Sequence, residues 1–404
     1  MTFTPRTEEF IADHLEDDVQ HLALGKHPDG VDMQAALTQI AGFQRAGRKL
    51  PQWAAVKGIC WPRQLPLEQC TGQQLAVFKS GLVKGLLSPG FSMADLTGGF
   101  GVDFHYLSSD AGVAHYNELD SGLCLLAEHN MRLLGHDNCI VTNGSAEDFL
   151  LRHRSGHFGL IYIDPARRSQ SGRKLVSLKD CSPDVTLLQD SMLGISDYVI
   201  VKMSPMLDIS VVMSQLRCME RLYVLSSQGE CRELLAVMRQ GFAGDTVISA
   251  VDVDEDGKAG ALLSATYGEE SELPLPLCSP DSLVPGTFLY EPNAACMKSG
   301  LYRRLCAVYG VRQLHVNSHL YVSDSEVAGF PGRKFRVTES VRYDRRSAGL
   351  FFRMHAKANV SVRNFPMPVK ELQRRFRITD GGDDYVFATT AAPDVKMLVS
   401  ASRI

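Results

Sequence analysis

The sequence predicts an α/β chain built on a doubly wound parallel sheet, with a helical region before it and a basic α+β domain after it. Three observations carry this reading. Between residues 92 and 268, short apolar runs alternate with helical patterns, the mark of strands joined by crossovers. A glycine-rich turn, "DLTGGFGVD", directly follows the first of these runs. The charge is also uneven: residues 285–404 hold 19 Lys+Arg against 10 Asp+Glu, while the whole chain has a net charge of −4. Such a split implies that one part of the chain meets a polyanion.

Residues 1–75 read as an N-terminal helical region. "FIADHLEDDVQHLAL" places Phe10, Ile11, His14, Leu15, Val19 and Leu22 near one helical stripe. Thr71, with Gln74 three residues on and an apolar periodic run behind it, has the pattern of a capping box, so a helix is expected from near Thr71. Residues 76–268 read as the sheet domain. Its strands are expected in "SMADL", "VAHYNEL", "NCIVTNG", "GLIYID", "DYVIVKM" and "RLYVLSS", with helices such as "SGLCLLAEHNMRLLG" and "ECRELLAVMRQ" between them. Two late strands, "DTVISAVDVD" and "ALLSATYG", flank an expected hairpin turn at Asp254–Gly257. Residues 269–286 are proline-rich and read as a linker. Residues 287–404 form the basic domain, with short strands such as "LHVNSHLYVS" and "YVFATT".

The composition narrows the class. At 404 residues, 45% hydrophobic and 22% charged, the chain is ordinary for a soluble protein of two or three domains. No apolar run approaches the roughly 18 residues of a membrane span. The acidic, polar start is unlike a secretory signal. Ten cysteines without a CxxC pair read as reduced thiols. A cytoplasmic protein with no membrane contact and no bound metal is expected. His315 and His319 do not suggest a metal, because "LHVNSHLYV" alternates like a strand, in which four residues span roughly 13 Å.

The candidate ligand site lies at the ends of successive strands. Asp95 closes the first, and Thr97, Gly98, Gly99 and Gly101 make the turn, where missing Cβ atoms let backbone approach a ligand. Glu118 closes the next strand, 23 residues after Asp95, where an acid that binds ribose hydroxyls belongs. Glu147 and Asp148 follow the third strand, and Asp164-Pro165 the fourth. A dinucleotide fingerprint would need a glycine where Phe104 stands. No cysteine sits at a strand end as a C5-type nucleophile would.

This order of Asp95, the glycine turn, Glu118, Glu147-Asp148 and Asp164-Pro165 resembles the Rossmann-like class I S-adenosylmethionine-dependent methyltransferases. The segment from Asp95 to Asp164 is similar to the RNA guanine-N2 methyltransferases, trimethylguanosine synthase among them. Over most of its length the chain resembles a bacterial group with a "DPARR" motif and a C-terminal THUMP-like domain, through "LEQCTGQQLAVFK", "DLTGGFGVD", "DPARR", "ECRELL", "FPGRKF", "RNFP" and "GGDDYVFATT". The resemblance implies an S-adenosylmethionine cofactor and structured RNA, tRNA or rRNA, as partner.

Related amino-group methyltransferases carry a proline and an aromatic after the Asp-Pro, where the acid accepts from an exocyclic amine and the ring stacks on the flipped base. Here Ala166 and Arg167 stand in those places. Asp164, Pro165 and Arg167 are therefore the expected catalytic residues, with guanidinium stacking or phosphate anchoring in place of the ring. Arg168 and the "SQSGRK" residues Arg173 and Lys174 are candidates to follow RNA. Lys202, at the end of "VIVKM", reads as a surface lysine or as a second candidate beside the cleft. Gln69 and Thr71 are candidates over the cofactor. Residues 331–377 hold 13 Lys+Arg against 3 Asp+Glu. Within them Arg333, Lys334, Arg336 and Arg363 are expected to contact RNA phosphates, whereas the interleaved aromatics read as core. The expected function is methylation of an exocyclic base amine, guanine N2, in structured RNA. The rivals are a protein or small-molecule methyltransferase, or a catalytically idle RNA-binding protein.

Overall fold

The computed structural model describes residues 3–167 and 177–404, with only the backbone of Arg167 and Ala261 included. The chain divides into two units: Met1–Leu222 with Glu233–Gly244 and Val253–Ala259, and Tyr223–Arg232 with Asp245–Asp252 and Gly260–Ile404.

The first unit begins with helices α1 (Pro5–Asp13), α2 (Val19–Leu24), α3 (Met33–Lys49), α4 (Pro51–Ala54) and α5 (Gln64–Gln69). The single helix expected from Phe10 to Leu24 is two. The Asp18 carboxylate accepts the backbone N–H groups of Gln20 and His21 and starts a new helix there, the preferred job of a short acid at a helix start. Helix α6 (Gln73–Leu86) is capped by the backbone of Gly72 without a side-chain bond. The capping-box reading of Thr71 is corrected: its hydroxyl is used inside the unit, as described below.

Strand β1 (Ser92–Asp95), helix α7 (Val102–Leu107), β2 (Val113–Glu118), α8 (Ser121–Leu133), β3 (Cys139–Asn143), α9 (Ala146–Arg152) and β4 (Phe158–Ile163) follow in regular alternation. A two-residue strand β5 (Ala166–Arg167) pairs antiparallel with β6 (Cys181–Ser182). Then come α10 (Val185–Gly194), β7 (Ser196–Met203), α11 (Ile209–Gln215), β8 (Met219–Ser227), β9 (Glu230–Arg239), β10 (Val247–Val253) and β11 (Ala259–Ala265). The sheet of the first unit runs β9-β7-β4-β1-β2-β3. Five of these strands are parallel, and β9 is antiparallel to β7. Strand β4 is buried at every position, which is why "FGLIYI" reads as an unbroken apolar run.

One expectation fails here. "ECRELLAVMRQ" is not a helix but β9, in which Glu233–Met238 are all buried. Periodicity alone does not separate a strand buried on both faces from a buried helix. The turn after β10 is as expected: Gly257 N–H donates to the Asp254 carbonyl at 3.1 Å.

The second unit contains α12 (Tyr267–Glu272), β12 (Phe288–Pro292), α13 (Ala294–Ser299), α14 (Tyr302–Tyr309), β13 (Arg312–Gln313), β14 (Tyr321–Ser323), β15 (Gly332–Arg342), α15 (Arg345–Met354), β16 (Asn359–Arg363), α16 (Val369–Phe376), β17 (Asp384–Ala391) and β18 (Val395–Arg403). Its sheet runs β13-β14-β12-β15-β18-β17-β16. Within residues 269–286, Cys278 and Leu283 are buried in a core with Leu289 and Phe335. The other core gathers Phe351, Phe352, Leu372 and Ile378, with Tyr343, Phe365 and Phe376 packed against it. The aromatics among the basic residues are thus packing groups. The extended reading of "LHVNSHLYVS" holds only for Tyr321–Ser323. Before it the chain turns back, the Ser318 N–H donating to the His315 carbonyl at 3.0 Å. No cluster of metal-ligating side chains occurs among the described residues.

Candidate active site

The glycine turn is shaped by what lies beneath it. Gly98 N–H donates to the Asn117 carbonyl at 2.9 Å. A Cβ on Gly98 would stand 2.2 Å from the ring of Tyr116, a fully buried side chain. The Tyr116 hydroxyl donates to the Gly99 carbonyl, tying the turn down to β2. Gly101 has φ 88° and opens α7, a conformation that costs other residues. Glu118 closes the loop from the other side. One of its oxygens accepts the Gly99 N–H at 2.8 Å, the other the Asp120 N–H at 2.8 Å. Asp95 is almost wholly buried; one oxygen accepts the Thr97 N–H at 2.9 Å, and Oδ2 has no partner among the described residues. Burial pushes its carboxyl well above the usual range, outweighing the Thr97 bond. Asp148 is exposed in the first turn of α9 and bonded to the Ser145 hydroxyl at 2.8 Å; Glu147 beside it is exposed.

Asp164 sits just past β4. Its N–H donates to the Thr97 hydroxyl at 2.7 Å, joining the glycine turn to the Asp-Pro segment. Its Oδ2 lies 2.5 Å from the Lys202 ammonium on the neighbouring strand β7. Lys202 is thus not a surface lysine: its side chain is 12% exposed. It also reaches the Thr71 hydroxyl at 3.0 Å and Asp103 at 3.4 Å. Behind it lies Lys79 on α6, fully buried, 2.7 Å from Asp103, 3.0 Å from Glu233 and 3.3 Å from Thr71. Thr71 donates to Asp103 at 2.6 Å and Tyr162 donates to the same oxygen at 2.8 Å.

The Thr71 hydroxyl therefore spends its one proton on Asp103 and both lone pairs on ammonium groups. Lys202 donates to Thr71, Asp103 and Asp164, while Lys79 donates to Thr71 and Glu233 and pairs with the Asp103 carboxylate. Buried charges survive only when satisfied in this way. Burial works to raise the Asp103 carboxyl, but Lys79 and Lys202 outweigh it and the net shift is downward. For Lys202, burial acts to lower its affinity for a proton, and Asp164 and Asp103 reverse that into a rise. Glu233 shifts upward, burial prevailing over Lys79.

The structure thus brings Asp95, Thr97, Gly98, Gly99, Gly101, Glu118 and Asp164 together at the carboxyl ends of β1, β2 and β4, the edge where open α/β sheets bind ligands. Pro165 follows Asp164 there, and β5 fixes the backbone of Arg167. Arg168, Arg173 and Lys174 lie outside the described residues. Gln69 is exposed at the end of α5. Lys79, Asp103 and Glu233 were missed. The available signals were a lysine inside the apolar stripe of α6 and an acid two residues past the glycine turn.

In the second unit Arg333 and Arg363 converge on Glu291, a carboxylate only 4% exposed. Arg363 donates to it at 2.7 Å, and both arginines border an open cavity of about 770 Å³. Lys334 pairs with Glu326 at 3.1 Å. Arg336 is exposed, its guanidinium 5.7 Å from the Phe288 ring.

The fold and this strand-end site define a Rossmann-like α/β protein of methyltransferase type. Residues 288–331 match the ferredoxin-like domain family and residues 332–402 the family of THUMP domain-like sequences. The chain is similar over 100% of both lengths to a crystal structure of a candidate methyltransferase from Porphyromonas gingivalis W83, at 29% identity and TM-score 0.87. Weaker partial matches include the candidate methyltransferase yhhF of Escherichia coli, at 18% identity over 41% of this chain and 85% of that one, TM-score 0.31. An rRNA methylase of Streptococcus thermophilus matches at 11% identity over 40% of this chain and 93% of that one, TM-score 0.31. No curated protein matches the chain.

Proposed function

We propose that this protein, an S-adenosylmethionine-dependent methyltransferase, methylates an exocyclic base amine of structured RNA, guanine N2 in tRNA or rRNA. The observation that carries the reading is the link between Asp164 and the glycine turn through Thr97, which keeps the acid next to the turn. The residues present fit the cofactor. Gly98, Gly99 and Gly101 carry no Cβ atoms, and the space beside Gly99 is open. Glu118 would take the ribose hydroxyls, Glu147 and Asp148 the adenine edge, and Asp95 would brace the turn from below. The cofactor supplies an electrophilic methyl group on a sulfonium whose departure leaves a neutral thioether.

Asp164 then has two tasks. Its carboxylate accepts a hydrogen bond from the amine and so aims the nitrogen lone pair at the methyl carbon. When the methyl group is transferred, the carboxylate would take the surplus amine proton. Positioning of this kind contributes on the order of 7–11 kcal/mol. Pro165 stiffens the segment, and Arg167 and Arg168 are assigned to the base face or a phosphate. The THUMP-like match and the basic surface of residues 331–377 support RNA as substrate, with Arg336, Arg333, Lys334 and Arg363 as contacts. Because Glu291 already engages Arg333 and Arg363, Arg336 is the first of these to test. The experiment is methyl transfer from labelled cofactor to RNA from cells lacking the gene, followed by nucleoside analysis.

A further inference from the structure

We infer that Lys202 is a positioning residue for the methyl acceptor: its ammonium holds Asp164 by Oδ2 and leaves Oδ1 to the substrate amine. The inference rests on the reading of Asp164 given above. Strand pairing sets the geometry. Ile163 on β4 is in register with Val201 on β7, so the next residue of each strand, Asp164 and Lys202, emerges at the same level of the sheet edge. Among the described residues the only hydrogen bond to the Asp164 carboxylate comes from Lys202, at Oδ2. That side chain is 36% exposed and would otherwise be free to rotate.

The lysine is itself immobilised. Thr71, Asp103 and Asp164 take its three N–H groups. Asp103 and Thr71 are in turn held by Lys79, which Glu233 anchors from β9. A buried frame drawn from α6, α7, β4, β7 and β9 thus ends on one carboxylate oxygen at the ligand edge. A pair serving stability alone would not need to terminate on a half-exposed acid. The upward shift of Lys202 agrees with a charge kept in place throughout turnover.

The test is steady-state methylation of RNA by wild type, Asp164→Ala, Lys202→Met, Lys202→Arg and Thr71→Val, with cofactor affinity and thermal unfolding measured beside it. A misplacement on the scale of 1 Å costs about 100-fold in rate, so Lys202→Met is expected to lose about that much kcat. KM for RNA and Kd for the cofactor should stay within about threefold, the mark of an interaction made in the transition state. Lys202→Arg, which can still donate to Asp164, should recover part of the loss. Thr71→Val leaves Asp164 untouched but removes one of the three groups that hold the ammonium, and should lower kcat by less. A folded Lys202→Met enzyme with wild-type kcat overturns the inference. If Lys202→Met does not fold, Thr71→Val decides: a lower kcat at unchanged KM supports it, and an unchanged kcat overturns it. If wild type fails to methylate RNA, or Asp164→Ala stays active, the functional reading itself falls and takes the inference with it.

Discussion

Replacing Gly98 with alanine tests how the cofactor turn is built. The added methyl would sit 2.2 Å, 2.4 Å and 2.6 Å from three ring carbons of Tyr116. Tyr116 has no room to yield: it is fully buried, its hydroxyl is bonded to Gly99, and its ring meets the Phe104 edge at 5.5 Å. The turn must therefore lift away from β2. Overpacking of this kind costs about 1–3 kcal/mol, which in a unit of this size lowers Tm by about 2–4 °C for each kcal/mol. Lifting the turn also strains the bond from the Gly99 N–H to Glu118, so cofactor affinity should fall by about tenfold, equivalent to some 1.4 kcal/mol. Gly99→Ala is the contrast. Its Cβ would point into open space, and only its φ of 56° opposes the change, at a cost of about 1–2 kcal/mol. Differential scanning calorimetry and isothermal titration with S-adenosylmethionine give both readouts. A Gly98→Ala protein with wild-type Tm and wild-type affinity would refute the packing argument.

Glu118→Ala removes the acceptor of two backbone N–H groups as well as the proposed ribose ligand; titration calorimetry should show at least a tenfold rise in cofactor Kd, at about 1.5–3 kcal/mol per charged bond. His105 bonds His136 at 2.6 Å, and burial, with His136 adding to it, pushes His105 down to about 4. An unfolded imidazole titrates near 6.5, so stability is complete above that pH and drains as pH falls toward 4. The loss should be about 2 kcal/mol between pH 7 and pH 5. Urea unfolding should show it, and show less of it in His105→Gln; an equal loss in the variant would count against the assignment. Arg336→Ala should reduce the slope of log K for RNA against log salt by about 0.7–0.9, one phosphate contact; an unchanged slope removes Arg336 from the interface.

The parallel sheet was legible because β1, β2, β4 and β7 are largely apolar runs with a polar residue at or next to the ligand end: Asp95, Glu118, Asp164 and Lys202. Glu118 and the glycines were legible for the same reason: spacing along the chain maps directly onto neighbouring strand ends. Strand β9 was not, since a strand buried on both faces and a buried helix write the same apolar run. That misreading hid Glu233. Thr71 shows a second limit. Its local pattern fits a helix cap, but three long-range partners, Asp103, Lys79 and Lys202, claim the hydroxyl instead. Lys202 was ambiguous because a lysine at a strand end looks alike whether it meets water or a carboxylate. The turn at Leu314–Leu320 defeated the alternation rule because His319 takes a positive φ of 50°, which side-chain identity does not announce.

The central claim is amine methylation of RNA at Asp164. The most direct test incubates the protein and its Asp164→Ala variant with methyl-labelled S-adenosylmethionine and RNA from a strain lacking the gene, then locates the label among the nucleosides. The account predicts label in N2-methylguanosine with wild type and none with the variant, at nearly equal cofactor affinity. Label that survives in the variant, or RNA left unlabelled by a wild-type protein that binds the cofactor, would contradict it.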